Sequence, residues 1–135
     1  MRPTEYIFEI TTFMPALRHE RRRFELLSDA LAALLTLPNN DAVIVVADID
    51  KSVDYGNFYL FLNAHGEAHI MLHEHREHFA TDPDFSAGDN IVQFLGEDGV
   101  AFSVESKFVT SAERGKEALE YWLPGQGHWQ QLVWQ

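Results

Sequence analysis

Short stretches of alternating apolar and polar residues recur along the chain, which is the pattern of strands with one buried face. Residues 5–12 alternate in this way and are rich in β-forming side chains, so they predict an opening strand. Residues 42–49 form a nearly continuous apolar run, which predicts a central strand buried on both faces. The chain is therefore expected to build a sheet with side chains packed against it.

Two pairs of alternating segments flank turn residues and predict β-hairpins. Residues 58–62 and 68–72 flank Asn63-Ala64-His65-Gly66, a sequence suited to a tight turn. Residues 91–95 and 100–105 flank Gly96-Glu97-Asp98-Gly99. Consecutive hairpins imply antiparallel pairing, because strands joined by short turns run in opposite directions.

Two further segments have apolar residues at helical spacing. The first contains Phe24, Leu27, Leu31, Leu34 and Leu35 and is closed by a Pro-Asn-Asn turn at positions 38–40. The second begins near Thr110 or Ser111, where a hydroxyl can cap the helix, and it ends at positions 124–127. A short strand over 129–134 follows. The element order predicts an α+β fold with a mainly antiparallel sheet built from hairpins and two helices packed against it.

The composition supports one compact unit. The 135 residues are 46% hydrophobic, so we expect a single globular domain over residues 1–135 with a substantial core. Without cysteine, neither disulfides nor thiolate metal sites can form, which fits a reducing compartment. We see neither an apolar leader nor an apolar run long enough to span a bilayer. The predicted location is therefore cytoplasmic.

The charge balance indicates the class of partner. With 10 Lys and Arg against 21 Asp and Glu, the formal net charge is -11. Such a field repels nucleic-acid phosphates and anionic lipid, and it attracts basic proteins. We therefore predict a basic protein as partner, and neither nucleic acid nor membrane. High charge also serves solubility alone, and that interpretation stays open.

Histidines are concentrated between positions 65 and 78, which hold five of the seven. On a strand, His69, His73 and His75 would share the face opposite the apolar one. A His-x-His pair places its two Cα atoms roughly 6–7 Å apart, so both rings could bind one zinc ion, with Glu77 or His78 as a third ligand. A solvated polar strand face and a pH-sensitive interface are the alternatives.

Carboxylates cluster just after the predicted central strand, at Asp48, Asp50 and Asp54. No Gly-rich phosphate loop, nucleophile elbow, Ser-x-x-Lys arrangement or EF-hand pattern accompanies them. We therefore predict neither an enzyme nor a bound cofactor. A solvated acidic loop is the plain interpretation, and it extends to the Asp82-Pro83-Asp84 run.

The second half of the chain resembles a known family. A strand pair around an Asn/Gly turn leads to Asp89-Asn90-Ile91-Val92-Gln93-Phe94, then to a helix with Glu117-Ala118-Leu119-Glu120-Tyr121. Gly125 and the ending Leu132-Val133-Trp134 complete the similarity to bacterial polymorphic-toxin immunity proteins of the Imm-one type. The resemblance implies a small cytosolic protein that neutralises a cognate toxin, often a nuclease or deaminase domain, by tight stoichiometric binding.

The leading hypothesis is thus an immunity protein whose acidic loops and adjoining aromatic side chains occlude a basic toxin domain. Because loops at strand ends can project together, the predicted interface residues are Asp48, Asp50, Asp54, Tyr55, Glu97 and Asp98. A metal-binding protein or metal-dependent enzyme using the His69, His73 and His75 face is the alternative. A structural or adaptor domain in a larger assembly is the third hypothesis.

Overall fold

A computed structural model describes residues 5–48, 57–74, 76–125 and 127–135 of the chain. The strands are β1 (Tyr6–Thr12), β2 (Arg18–Phe24), β3 (Ala42–Asp48), β4 (Asn57–Leu62), β5 (Glu67–Glu74), β6 (Arg76–Thr81), β7 (Ile91–Leu95), β8 (Ala101–Glu105), β9 (Thr110–Ser111) and β10 (Val133–Trp134). The helices are α1 (Leu27–Ala33) and α2 (Ala112–Trp122), with 3₁₀ turns at Leu34–Thr36 and Ser106–Phe108. Within the described residues, no helix is long and apolar enough to cross a membrane.

The main sheet has the strand order β10-β6-β5-β4-β3-β1-β2, and β9 pairs with β5 beside this path. Every one of these pairings is antiparallel. Strands β7 and β8 form a separate antiparallel hairpin. The predicted α+β fold, with a mainly antiparallel sheet built from hairpins and two helices, is confirmed.

The helices cover one face of the sheet. Alternate residues of β4, namely Phe58, Leu60 and Leu62, are at most 2% exposed and belong to the same core as Ala118 and Leu119 of α2. Alternation of this kind places every second side chain against the helical layer. The result is a core dominated by aliphatic side chains.

A glycine lets α2 approach the sheet closely. A Cβ atom at Gly115 would lie 2.7 Å from Leu60 Cδ1 and 3.0 Å from the Cβ of Ala68. Real carbon atoms do not approach this closely without displacement of a neighbour, so a larger side chain at this position would push the helix outward.

The β7–β8 hairpin covers part of the opposite face. Its buried residues Val92, Phe94 and Val104 pack with Val109 in a second apolar cluster, and aromatic side chains of the sheet join them. On β3, side chains pointing to either side are buried, as the apolar run predicts. The helices therefore cover one face of the sheet, and the β7–β8 hairpin covers part of the other.

The predicted turn and cap chemistry is confirmed. Asn63 Oδ1 accepts hydrogen bonds from the backbone N–H groups of His65 and Glu67, each at 3.0 Å. Gly66 has φ +73°, a conformation that favours glycine. Ser111 Oγ accepts from the N–H of Arg114 at 3.1 Å and caps α2.

The segment before α1 is the largest departure from the sequence prediction. Phe24 was expected on the first helix, but it ends strand β2, and its ring packs edge-on against Phe8 at 5.3 Å. Strand β2 is stabilised in place by pairing with β1, where Arg23 binds Glu5 through an ion pair. Leu35 was expected on the buried stripe and is 91% exposed. The final strand is also shorter than predicted, Val133–Trp134 rather than 129–134.

Candidate functional site

The predicted interface residues fall in two places. Asp50, Asp54 and Tyr55 lie outside the described residues. Asp48 ends β3, and its backbone pairs with Tyr6 at the start of β1. Glu97 and Asp98 are exposed in the turn between β7 and β8, as the hairpin predicts.

Glu97 and Asp48 lie near opposite ends of strand β1. Glu97 lines a surface cleft together with Thr11 and His19, which pair with each other near the far end of β1. Five residues of strand separate Thr11 from Tyr6, or about 16 Å at the usual rise per residue. The structure therefore does not bring Glu97 and Asp48 together, because the turn of the β7–β8 hairpin lies near the C-terminal end of β1, whereas Asp48 pairs with its first residue.

The histidines do not form the expected row on an open face. His69 and His73 do share one side of β5, but His69 is only 5% exposed because β8 and the turn after it cover that part of the face. Its Nδ1 is hydrogen-bonded to Phe108 O at 2.9 Å. His73 is exposed and lies four residues, or about 13 Å, along the strand. His75 lies outside the described residues.

The proposed third ligands also separate. Glu77 pairs with His73 across β6 and β5, whereas His78 pairs with Leu72 and so lies on the helix-covered side. In the part of the chain that the structure describes, no group of three or more His, Cys, Asp or Glu side chains is placed to hold a metal ion.

Asp82 is buried rather than solvated, which corrects the prediction for the acidic run after β6. Its side chain is 0% exposed, and its Oδ2 lies 2.8 Å from Arg114 Nε. The hydroxyl of Thr110 donates to the same oxygen at 2.5 Å, and the N–H of Asp84 donates to Oδ1 at 2.9 Å. A buried carboxylate is stable only with such partners, so Asp82 anchors the start of α2 to the chain after β6.

The exposed side of α2 carries three glutamates, which we call the acidic ridge: Glu113, Glu117 and Glu120. Residues spaced by three and four positions lie on one face of a helix. No ion pair of these carboxylates is found among the described residues. The ridge therefore presents uncompensated negative charge to the solvent.

The cations of the same helix point elsewhere. Arg114 binds Asp82, and its Nη2 donates to Gln131 O at 3.0 Å. Lys116 Nζ donates to Leu37 O at 3.2 Å and to Asn39 Oδ1. Burial lowers the pKa of the Lys116 ammonium from its ordinary value, which reflects its position under the neighbouring loop.

An apolar groove borders the acidic ridge on one side. This leucine groove has a volume of about 590 Å³ and is lined by Leu34, Leu35, Asn39, Gly66, Ala112, Glu113, Lys116, Glu117 and Glu120. Leu35 stands at its edge with 91% of its surface exposed. Among the residues that line the groove, Leu35 is the large apolar side chain that is exposed, because Leu34 beneath it is only 7% exposed.

Aromatic side chains border the ridge on the other side. A recess of about 300 Å³ is lined by Glu117, Glu120, Tyr121 and Trp129. The guanidinium of Arg114 lies over the Trp129 ring at 5.3 Å and holds it in place. The ridge thus lies between an aliphatic groove and an aromatic recess, an arrangement suited to a flat protein partner.

The sequence contained one signal for this surface. The spacing of Glu113, Glu117 and Glu120 marks them as one helical face. Exposure of Leu35 had no sequence signal, because it falls on an apolar stripe.

Searches of protein-family models, curated proteins and solved structures find no match to this chain.

Proposed function

We propose that this protein acts by binding a protein with a basic surface, and that the acidic ridge, the leucine groove and the aromatic recess together form the docking surface. The observation that supports this most is the 91% exposure of Leu35 beside three exposed glutamates that have no ion pair within the described part of the chain. Exposed aliphatic surface costs roughly 25 cal/mol per Å², so its burial against a partner would be favourable.

The charge of the whole chain supports the choice of partner. A net charge of -11 creates a field that accelerates encounter with a basic surface. The ridge would provide the local contacts, and the flanking apolar side chains would slow dissociation once water is excluded.

The resemblance to toxin immunity proteins suggests what that partner is. We infer that the partner is a toxin domain, such as a nuclease or deaminase, which this protein neutralises by one-to-one binding. A domain that acts on nucleic acid carries a basic cleft, and carboxylates can occupy the positions of phosphates there. The chain would then act as a plug, and no reaction of its own is required.

A charge-reversal series tests the docking surface. The ridge variant carries Glu113→Lys, Glu117→Lys and Glu120→Lys, and a control variant carries Glu25→Lys, Asp84→Lys and Asp89→Lys, which are also exposed. Both change the net charge by the same amount. Tagged proteins would be used to recover partners from lysate of the native organism, with stoichiometry measured by mass spectrometry. We expect a basic protein at one-to-one ratio with wild type and control, and its loss with the ridge variant.

Two outcomes would contradict the assignment. Equal loss with ridge and control variants would mean that bulk charge alone attracts the partner. Retention by the ridge variant, with loss by a Glu97→Lys, Asp98→Lys variant, would move the interface to the β7–β8 turn.

Neutralisation is tested separately, by co-expressing the recovered domain with this protein and scoring growth. Unrelieved toxicity would leave a binding protein that is not an immunity protein.

A further inference from the structure

A second cavity lies on the opposite side of the sheet, between the sheet and the β7–β8 hairpin. This aromatic cavity has a volume of about 440 Å³ and is lined by Phe61, His69, Met71, Phe79, Phe102, Ser103, Val104, Glu105 and Phe108. Ligand sites typically occupy 300–1,000 Å³ and combine apolar walls with a few polar groups. The size and the lining of this cavity both match that description.

The apolar walls of the aromatic cavity are incompletely covered. Phe61, Met71, Phe79, Phe102 and Phe108 are all only partly buried. The equivalent alternate positions on the helix-covered face are closed to solvent. Large apolar side chains grouped around one opening leave surface that a ligand could remove from water.

His69 supplies a polar atom within these walls. Its ring stacks on Phe61 at 5.7 Å with an interplanar angle of 27°, and on Phe79 at 5.6 Å with an angle of 15°. A backbone carbonyl can only accept, so the 2.9 Å contact with Phe108 O places the proton on Nδ1. Nε2 is then the acceptor of the neutral ring.

The neutral state of His69 has a physical cause. Burial lowers the pKa of the imidazole, and the hydrogen bond to Phe108 opposes this more weakly. No hydrogen bond to Nε2 is found among the described residues. Nε2 is not among the buried polar atoms that lack a partner, so it is accessible at the cavity wall, and a ligand that can donate a hydrogen bond would take the place of water there.

We propose that the aromatic cavity binds a small, planar, neutral aromatic molecule carrying an N–H or O–H group, of the indole or phenol class, which donates to Nε2 of His69. The flat rings of Phe61 and Phe79 would pack against the ligand's ring. Glu105 lines the cavity and pairs with Lys107 at 3.7 Å, so the rim carries opposite charges that offset each other, which suits a neutral ligand. This site is independent of the docking surface on α2.

Indole and 1-methylindole provide the test, because they differ in the donor and share the ring system. The chain has three methionines, so a spectrum of protein labelled with ¹³C at the methionine methyl groups resolves Met71 in the cavity and Met14, which is 79% exposed. We expect saturable ring-current shifts of Met71, and none of Met14, on titration with indole. 1-Methylindole should bind about three- to tenfold more weakly, since one neutral hydrogen bond is lost.

Variants assign the preference to His69. His69→Phe keeps an aromatic ring but removes the acceptor, so it should bind both probes equally. His73→Phe, on the same strand and side but exposed, should keep the wild-type preference. Equal binding of the two probes by wild-type protein, or no saturable Met71 shift up to the solubility limit of indole, would overturn the proposal. The wild-type comparison stands even if the His69 variant does not fold.

Discussion

The two faces of the main sheet are covered in different ways and have different consequences. On the helix side, Phe58, Leu60 and Leu62 are closed off, because Gly115 lets α2 lie directly on the strands. On the hairpin side, Phe61 and its aromatic neighbours remain partly open. The tightly packed face leaves only the outer surface of its helices for recognition, whereas the partly covered face keeps an open recess lined by aromatic rings.

The largest expected effect on stability concerns the buried ion pair between Asp82 and Arg114 of α2. Asp82 lies between β6 and the hairpin and binds Arg114 of α2, so Asp82→Ala leaves a cation without its buried partner. We expect a loss of about 3–5 kcal/mol in the free energy of unfolding, measured with chemical denaturant. Asp84→Ala is the matched control and should change stability by less than about 1 kcal/mol, because that side chain is exposed. Similar small losses for both would show that Asp82 is not an anchor.

Enlarging one side chain on each face compares their packing directly. Gly115→Val should lower the free energy of unfolding by about 1–3 kcal/mol, because the added atoms meet Leu60 and Ala68. Ser103→Val, which adds one heavy atom at the exposed edge of the aromatic cavity, should change it by no more than about 1 kcal/mol. Part of that change comes from the lost hydrogen bond with Gln93 Nε2. A greater cost at Ser103 than at Gly115 would reverse the comparison.

The smallest effect is a pH dependence confined to the hairpin side. The pKa of His69 is lowered in the folded protein, so below the ordinary value of 6.5 the unfolded chain binds more protons. The contribution of His69 to the free energy of unfolding should therefore fall as the pH drops below 6.5 and be constant above it. The slope from this residue is at most about 1.4 kcal/mol per pH unit.

Comparison with His69→Phe isolates that slope, since the variant lacks the titrating ring. The difference in unfolding free energy between wild type and variant should be constant above pH 6.5 and should change below it. The site is surrounded by the rings of Phe61, Phe79, Phe94 and Phe102. Among the described residues, the charged side chains near this cavity are Glu105, which lines it, and Lys107, which pairs with Glu105 and lies over the Phe108 ring. Parallel stability curves through this range would show that His69 titrates normally.

Local signals account for what the sequence predicted well. The turn at Asn63 and Gly66 and the cap at Ser111 depend on residues within a few positions of each other. Strand β3 was recognisable because an apolar run needs cover on both sides. These features gave the hairpins, the second helix and the α+β fold class.

The features that the sequence did not predict depend on contacts between residues distant in the chain. Strand β2 is a basic segment whose strand conformation depends on pairing with β1, and Asp82 is buried only because Arg114 reaches it. Leu35 continues an apolar stripe, but the helix tightens into a 3₁₀ turn at Leu34–Thr36, and the changed period places Leu35 outside. The acidic ridge was readable from its spacing, whereas the groove beside it depends on that turn.

The most direct test of the proposed docking surface uses Leu35. Affinity of the recovered basic partner for wild-type protein and for Leu35→Ser would be measured by isothermal titration calorimetry, with the Tm of each free protein as control. We expect the variant to bind at least about tenfold more weakly, or about 1.4 kcal/mol, at an unchanged Tm, because Leu35 is 91% exposed in the free protein. Unchanged affinity would contradict the proposed role of the leucine groove in binding.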